Sequence, residues 1–298
     1  MELFLGQFLG VLTAACWAQN SLIYSYIGRQ VSSQTVAHIR LWIALPLILA
    51  ANFLFTKTVF PLHLSAETYL YLFSSGLVGF FIADLLIFYG FVELGPRETL
   101  VIMTSSPIFS AALSWMLFSE ALSPMQIIGV IVTIAGVMLV IREDRQNSSS
   151  SHTHYVKGVL IAFGGSFAQA AGMVLAKGGM VSQVHPVSAN TLRITAGLLG
   201  LIIYAAVRGQ FISDFRKLKN TRLLLLLSSA AFVGPVLGII LTLYAINLAP
   251  VGVVTALTQL SPILVLPVER FVFGKHIRPG AVIGTLLAIS GAALLFIA

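Results

Sequence analysis

The stretch "MTSSPIFSAALSWMLFSE", from Met103 to Glu120, is apolar over most of its length but carries a proline near its start. Proline lacks a backbone N–H and disturbs the helical turn before it. The stretch "TQLSPILVLPVERFVFGK", from Thr258 to Lys275, repeats the Ser-Pro-Ile of 106–108 at 261–263, an offset of 155 residues. The sequence therefore contains the same interrupted helix twice, which indicates an internal duplication.

The composition is that of an integral membrane protein. Hydrophobic residues make up 58% of the chain, charged residues only 9%, and the mean hydropathy is +0.97. Soluble domains carry about 25% charged residues. The apolar runs are continuous and about 20 residues long, as an α-helix needs to cross a bilayer, and do not alternate as in a membrane β-barrel. We therefore predict membrane-spanning α-helices.

We predict an all-α polytopic membrane protein of ten transmembrane helices, arranged as two inverted five-helix repeats. The repeats are expected over 1–142 and 156–298, with a Ser-rich linker over 143–155. The ten spans are predicted at 3–26, 34–56, 68–92, 97–118, 124–142, 156–177, 186–207, 222–246, 251–273 and 279–298. A second connecting loop, 208–222, is basic.

Residues of the first half recur in the second half with little change of spacing. Arg40, early in the second span, corresponds to Arg193, early in the seventh. At an offset of 155, Gly79, Pro107, Pro124, Gly129 and Gly136 correspond to Gly234, Pro262, Pro279, Gly284 and Gly291. Because five spans is an odd number, the second half begins on the opposite side of the membrane. Inverted repeats of this kind are typical of secondary transporters.

Several motifs together resemble the drug/metabolite transporter superfamily, its EamA branch. They are "WAQNSLIYSYI", "HIRLWIAL" with Arg40, "SSPIF" followed by "FSEALSPMQIIGVIVTIAGVML", and the second-half stretches "LSPIL" and "RPGAVIGTLLAISGAALL". The resemblance covers nearly the whole chain. It implies a secondary active transporter that exports small metabolites such as amino acids by alternating access. A multidrug carrier and a sugar-phosphate or nucleotide-sugar carrier of the same superfamily are the alternatives.

Two ionisable residues lie deep within predicted spans, where charge is costly and often functional. Asp84 in the third span and Arg40 in the second are expected at similar depth, so that they can pair. The pair is either a static lock between helices or part of a substrate or proton site. Arg193 has Ile239 where Asp84 would have its counterpart. A substrate carboxylate or phosphate is therefore one candidate partner for Arg193, and snorkelling to the membrane surface is the alternative.

Polar and aromatic side chains within the spans complete the predicted substrate pathway. Amide side chains in a bilayer must face protein or a cavity, so each is either a pocket residue or an interhelical hydrogen-bonding residue. Proline lacks the N–H that would bond a backbone carbonyl one turn earlier. The hydroxyl side chains before the prolines either bond such carbonyls or face the pathway. The candidate residues are Trp17, Gln19, Asn20, Thr104, Ser105, Gln169, Tyr244, Thr258 and Gln259. Tyr244 is also a candidate interfacial anchor.

Other functional classes find little support in the sequence. It contains no P-loop, no G-x-S-x-G and no H-E-x-x-H motif, so we predict no enzyme activity, no cofactor and no metal.

The expected partners are the lipid bilayer and a small-molecule substrate, whose transport can be coupled to protons. Nucleic acid is not an expected partner. A receptor or scaffold would need a long partner loop. We expect a monomer or homodimer in the cell inner (plasma) membrane, with Glu269 and Arg270 near the membrane interface.

The charge distribution predicts the orientation of the chain. Loops after the odd-numbered spans form a basic face, which carries most of the Lys and Arg residues, whereas the opposite face carries Lys57 and Lys177. The positive-inside rule makes the basic face cytoplasmic and both termini external. The family resemblance implies the reverse. From the charges we expect a reporter fused after Ala298 to be active only outside the cytoplasm, and activity confined to the cytoplasm would contradict this orientation.

Overall fold

A computed structural model describes residues 2–118, 123–145, 152–180, 184–217, 220–248, 257–274 and 276–297. The secondary structure of these residues is helical throughout. In chain order the elements are α1 Glu2–Val31, α2 Ser33–Thr56, α3 Ala66–Gly76, π1 Leu77–Ile82, α4 Ala83–Glu93, α5 Pro96–Met103, α6 Ser106–Phe118, α7 Pro124–Arg145, α8 His152–Met180, α9 Pro186–Val207, α10 Phe211–Lys217, α11 Thr221–Phe232, π2 Val233–Gly238, α12 Ile239–Leu248, α13 Ser261–Phe271 and α14 Pro279–Ile297.

The all-helical prediction is confirmed over the described residues. Six helices there are long and apolar enough to cross a membrane by length and composition: Ser33–Thr56, Ala66–Glu93, Pro124–Glu143, Thr153–Met180, Pro186–Val207 and Thr221–Thr242. The count of ten spans stays a prediction. We keep the span numbers as names for the corresponding segments, so that α3, π1 and α4 form the third span, and α11, π2 and α12 form the eighth.

Helices extend into both connections that the sequence predicts as loops. α7 continues to Arg145 and α8 begins at His152, so helical turns occupy the ends of the predicted linker. Residues 146–151 of the linker lie outside the described residues. The basic loop 208–222 is also not entirely loop, because its middle forms the short helix α10.

The buried carboxylate of Asp214 anchors α10 against the start of α2. Asp214 is 2% exposed and accepts a hydrogen bond of 2.7 Å from the Thr35 hydroxyl. Its other oxygen lies 3.0 Å from His38 Nδ1, while Trp42 Nε1 donates to His38 Nε2 at 3.2 Å. Since Nε2 accepts, the proton of the neutral imidazole is on Nδ1 and points to the carboxylate. Sequence reasoning did not detect this contact, because Asp214 and His38 are far apart along the chain.

The repeated Ser-Pro-Ile stretches lie at the predicted helix interruptions. In the fourth span, α5 ends at Met103 and α6 begins at Ser106, so Pro107 lies in the first turn of a new helix. In the ninth span, α13 begins at Ser261 with Pro262 in its first turn. A first turn tolerates proline because its N–H groups have no intrahelical partner.

The matched glycines of the fifth and tenth spans allow two helices to touch along their backbones. A Cβ added at Gly136 would overlap the backbone of Ala288, and one at Gly284 would lie 2.8 Å from the Gly136 carbonyl oxygen. Small residues of this kind let membrane helices approach closely. α7 and α14 therefore form one tightly packed pair, to which each half of the chain contributes its last helix.

The first helix of each half packs against the other half. α1 lies against α11, π2 and α12, and against α13, as well as against α2 and α4 of its own half. α8 lies against α3, π1 and α4. This exchange brings residues of both halves together around the distorted third and eighth spans.

We expect Gly136→Val to destabilise the protein by about 1–3 kcal/mol, the usual cost of overpacking. The added side chain would separate α7 from the Ala288 backbone. Thermal unfolding in detergent measures the effect as a lower Tm. The control is Ala135→Val, because Ala135 is the exposed neighbour on the same helix. Equal Tm values for the two variants would contradict close glycine packing.

Candidate substrate site

The third and eighth spans each contain one π-helical segment at corresponding positions. π1 covers Leu77–Ile82 and π2 covers Val233–Gly238, and each contains one member of the Gly79–Gly234 pair. A π-turn widens the helix and displaces its hydrogen bonds, and such bulges are frequent at functional sites. Both halves therefore have a distorted turn within their third helix.

Arg40 and Asp84 form a buried ion pair beside π1, on the side of the basic face. Arg40 is 3% exposed and Asp84 is 6% exposed, and Arg40 Nη2 donates to Asp84 Oδ2. The structure thus brings together the two charges whose similar depth the sequence predicted. The Arg40 guanidinium carbon also lies 5.1 Å from the ring centre of Phe88 and 5.6 Å from that of Tyr24. These aromatic faces surround the cation where water is absent.

Arg193 approaches the same region from α9, in the second half of the chain. It lies seven residues after Pro186, the start of α9, which places it about 10 Å along the helix. Its guanidinium carbon is 5.0 Å from the ring centre of Phe80, and that of Arg40 is 5.9 Å from the same ring centre. Phe80 therefore contacts two guanidinium groups, one from each half of the chain.

The positive charge of the Arg193 guanidinium has few hydrogen-bonding partners close to it. Its Nε is buried without a hydrogen-bond partner, and Nη2 lies 3.7 Å from the sulfur of Met173. Among the described residues no carboxylate lies within ion-pair distance of Arg193, although Asp84 interacts with it electrostatically over a longer distance. A Cβ added at Gly79 would lie 3.4 Å from Arg193 Nη2, so a larger residue there would crowd the guanidinium.

Two arginines and one aspartate leave one positive charge uncompensated in this cluster. A buried charge without a partner costs several kcal/mol. A guanidinium binds carboxylate and phosphate groups through paired hydrogen bonds, so the cluster has the chemistry of an anion site.

Asn20 bonds to the distorted backbone of the eighth span. Its amide, oriented to satisfy both partners, donates to the Ala230 carbonyl at 3.1 Å and accepts from the Gly234 N–H at 3.2 Å. In a π-turn the N–H of residue 235 would reach the carbonyl of residue 230, but Pro235 has no N–H. Asn20 replaces that missing donor. Gly234 is required here, because a Cβ would overlap the Asn20 amide.

The hydroxyls beside the proline interruptions bond to the backbone. Thr104 donates to the Val101 carbonyl and Ser105 to the Ile102 carbonyl, both at 2.6 Å. Ser105 also lies 3.0 Å from the Ser166 hydroxyl. Thr104 and Ser105 therefore bond the last carbonyls of α5, and a role of either hydroxyl in the pathway stays a prediction.

The other predicted site residues lie at varied depths. Trp17 and Gln169 are half-buried, Gln19 is exposed on α1, and Tyr244 is 51% exposed on α12. Thr258 and Gln259 are half-buried at the start of the described ninth span, and the Thr258 carbonyl accepts from the Ser261 hydroxyl at 2.9 Å. No described contact joins these six residues to Arg193.

A second buried charge cluster was missed by sequence reasoning. Arg97 Nε lies 3.1 Å from Glu269 Oε2, and the next residue, Glu98, accepts from the Tyr155 hydroxyl. Glu269, which the sequence places near the membrane interface, is buried within the protein at 2% exposure, whereas its neighbour Arg270 is exposed. Proximity to a span end suggested exposure, and only the tertiary packing of α5 on α13 buries the carboxylate.

Comparisons with known proteins agree with the architecture. The profile of the EamA-like transporter family matches residues 4–142 and again 156–297. Human "Solute carrier family 35 member G1" is 26% identical over 135 residues, which are 43% of this chain and 37% of that protein. A solved structure titled "Crystal structure of protein" superposes with a TM-score of 0.64 at 17% identity, over 97% of this chain and 95% of the other. This last likeness concerns the fold alone.

We expect Asn20→Leu to destabilise the protein by about 1–3 kcal/mol, because the Ala230 carbonyl and Gly234 N–H lose their partner. The Tm in detergent measures the loss. Gln19→Leu is the control, since Gln19 is the adjacent amide residue and is exposed. A Tm loss for Gln19→Leu as large as for Asn20→Leu would argue against the bridging role of Asn20.

Proposed function

Because the chain belongs to the EamA-like transporter family of the drug/metabolite transporter superfamily, we propose that this multi-pass membrane transporter is a secondary transporter that works by alternating access. Its moving parts are two inverted five-helix repeats, 1–142 and 156–298, joined by the linker 143–155, with ten spans in all. It exports small metabolites such as amino acids across the cell inner (plasma) membrane.

The uncompensated Arg193 guanidinium carries the proposal for the substrate. It lies against Phe80 beside the Arg40–Asp84 pair, and its Nε has no hydrogen-bond partner among the described residues. A bound carboxylate would balance the extra positive charge of the cluster and bond both edges of the guanidinium. Phe80 would supply an apolar surface to the rest of the substrate. The favoured substrates are therefore metabolites with a carboxylate group.

Trp17, Gln19, Gln169, Tyr244, Thr258 and Gln259 are proposed to line the pathway above and below this anion contact. Asn20, Thr104 and Ser105 are proposed to act through the backbone of the broken helices that form its walls. The turn between α5 and α6 and the start of α13 allow each helix half to tilt separately. Such discontinuous helices form the binding sites of many secondary transporters.

The driving force is a gradient of protons or of the substrate itself, because the sequence contains no nucleotide-binding motif. Collapse of the proton gradient separates the two modes. Accumulation that ends when the gradient is collapsed indicates proton coupling, and unchanged accumulation excludes it.

A ligand-stabilisation screen tests the substrate class directly. A ligand that binds only the folded protein raises its stability, by about 2.7 kcal/mol at one hundred times its Kd. The screen compares amino acids and other carboxylates, phosphate esters, neutral sugars and cationic drugs on the purified protein. We expect carboxylates to raise the Tm. Phosphate esters can bind the same guanidinium group, so a Tm raised by them would indicate a phosphorylated substrate instead of a carboxylate. Stabilisation by cationic drugs alone would refute the anion site.

We expect Arg193→Gln to weaken binding of the stabilising anion by about tenfold or more, the loss of one charged hydrogen-bonding group. Equilibrium binding or the ligand-induced Tm shift measures it. Arg208→Gln is the matched control, because Arg208 caps the C-terminal end of the same helix and donates to the hydroxyl of Tyr204 at 2.7 Å. Equal weakening in both variants would place the anion elsewhere.

A further inference from the structure

Two adjacent charged residues join the first turn of α5 to the second half of the chain. Arg97 reaches Glu269 on α13, and Glu98 reaches Tyr155 on α8. Arg97 and Glu98 are each 5% exposed and Glu269 is 2% exposed, so these contacts are shielded from water. Neither contact is used by the anion site described above.

The contacts cross between the parts that alternating access requires to move. Arg97 and Glu98 belong to the first half. Glu269 lies near the end of α13 in the second half, and Tyr155, the last linker residue, lies in the first turns of α8, the helix that continues into the second half. A charge pair in a dry interface opposes separation, because separating it removes an ion-pair partner from each of two buried charges. Movement of α5 away from α13 must therefore break this ion pair.

All four side chains lie at the basic face. α5 begins just after the turn at Gly95, which connects the third and fourth spans, and α13 ends at Phe271 before the connection to the tenth span. Both connections belong to the basic face. In the structure the two halves are thus joined by ionic contacts on that side of the membrane.

The sequence has no ion pair at the positions of the opposite face that correspond to Arg97 and Glu269. At the offset of 155 residues, Arg97 corresponds to Gly252, and Glu269 corresponds to Ser114. The inverted repeats therefore differ at the positions where a second lock of the same kind would form. The two closed states of the transporter would not be held by equivalent interactions.

We propose that Arg97 and Glu269, supported by Glu98 and Tyr155, form an ionic gate that closes the pathway at the basic face and makes this closed state the resting state. The inference rests on the proposed alternating access. It adds residues that control which face opens, and it does not depend on which substrate is carried.

The test removes both charges together, with Arg97→Gln and Glu269→Gln in one variant. A single substitution would remove the ion-pair partner of the other buried charge, whereas two amides can still hydrogen-bond each other. The background is Cys16→Ser, which removes the chain's one cysteine, and a reporter cysteine is placed by Ser106→Cys. Ser106 lies nine residues beyond Arg97 in the same span, at the start of α6.

A membrane-impermeant maleimide is added to the basic-face side of sealed vesicles. We expect the double variant to raise the labelling rate of the reporter by about tenfold, as a shift of 1.4 kcal/mol towards the open state would do. Hydrogen exchange should accelerate in 96–103 and 261–271 and not elsewhere. Neither measurement requires transport, so a chain that transports nothing can still pass or fail this test.

The matched control is Arg278→Gln with Glu143→Gln. This pair also joins the two halves at the basic face, but it spans 3.9 Å and is partly exposed. Partly exposed pairs contribute little, so labelling and exchange should stay at the background level. Unchanged labelling in the Arg97 and Glu269 variant, or exchange that rises evenly along the whole chain, would show that the pair only stabilises the fold and would overturn the proposal.

Discussion

A guanidinium group inside a membrane protein needs a partner that lipid cannot provide, and the Arg40–Asp84 pair meets that need. It ties the second span to the third, and the rings of Tyr24, Phe80 and Phe88 surround it. Because these rings come from the first and third spans and Arg40 comes from the second, the position of the pair determines where three spans can lie. Phe80 also contacts Arg193, so the environment of Arg193 depends on the same ion pair.

The broken helices show how the chain satisfies its backbone without water. Proline residues in the fourth and ninth spans begin new helices, and nearby hydroxyls bond the carbonyls left at the preceding ends. In the eighth span a side chain from another helix, Asn20, takes this role. The carbonyls named at these three interruptions therefore have partners on the same helix or on an adjacent one, as the bilayer interior demands of irregular backbone. These interruptions can therefore persist as sites of bending.

The sequence predicted those features of the fold and of the candidate site that depend on a single residue type with a single physical effect. Matched prolines predicted the helix interruptions at Pro107 and Pro262, and depth along two spans predicted the meeting of Arg40 and Asp84. The π-segments were not predicted, because they follow from packing around Gly79 and Gly234 and not from composition. Asp214 and Glu269 were also out of reach. Their burial depends on partners far away in the chain, and neither hydrophobic periodicity nor distance from a span end encodes that contact.

The bond between Asn20 and the eighth span has a consequence for biosynthesis. Asn20 enters the membrane with α1, but its partners Ala230 and Gly234 belong to a helix made much later. At about 5–20 residues per second, the delay is roughly 10 to 40 seconds. During that time the Asn20 amide must be held by other polar groups, such as those of the insertion machinery or of neighbouring nascent helices. Arrival of the eighth span then releases it, and this exchange of partners would give the assembling membrane protein a late checkpoint.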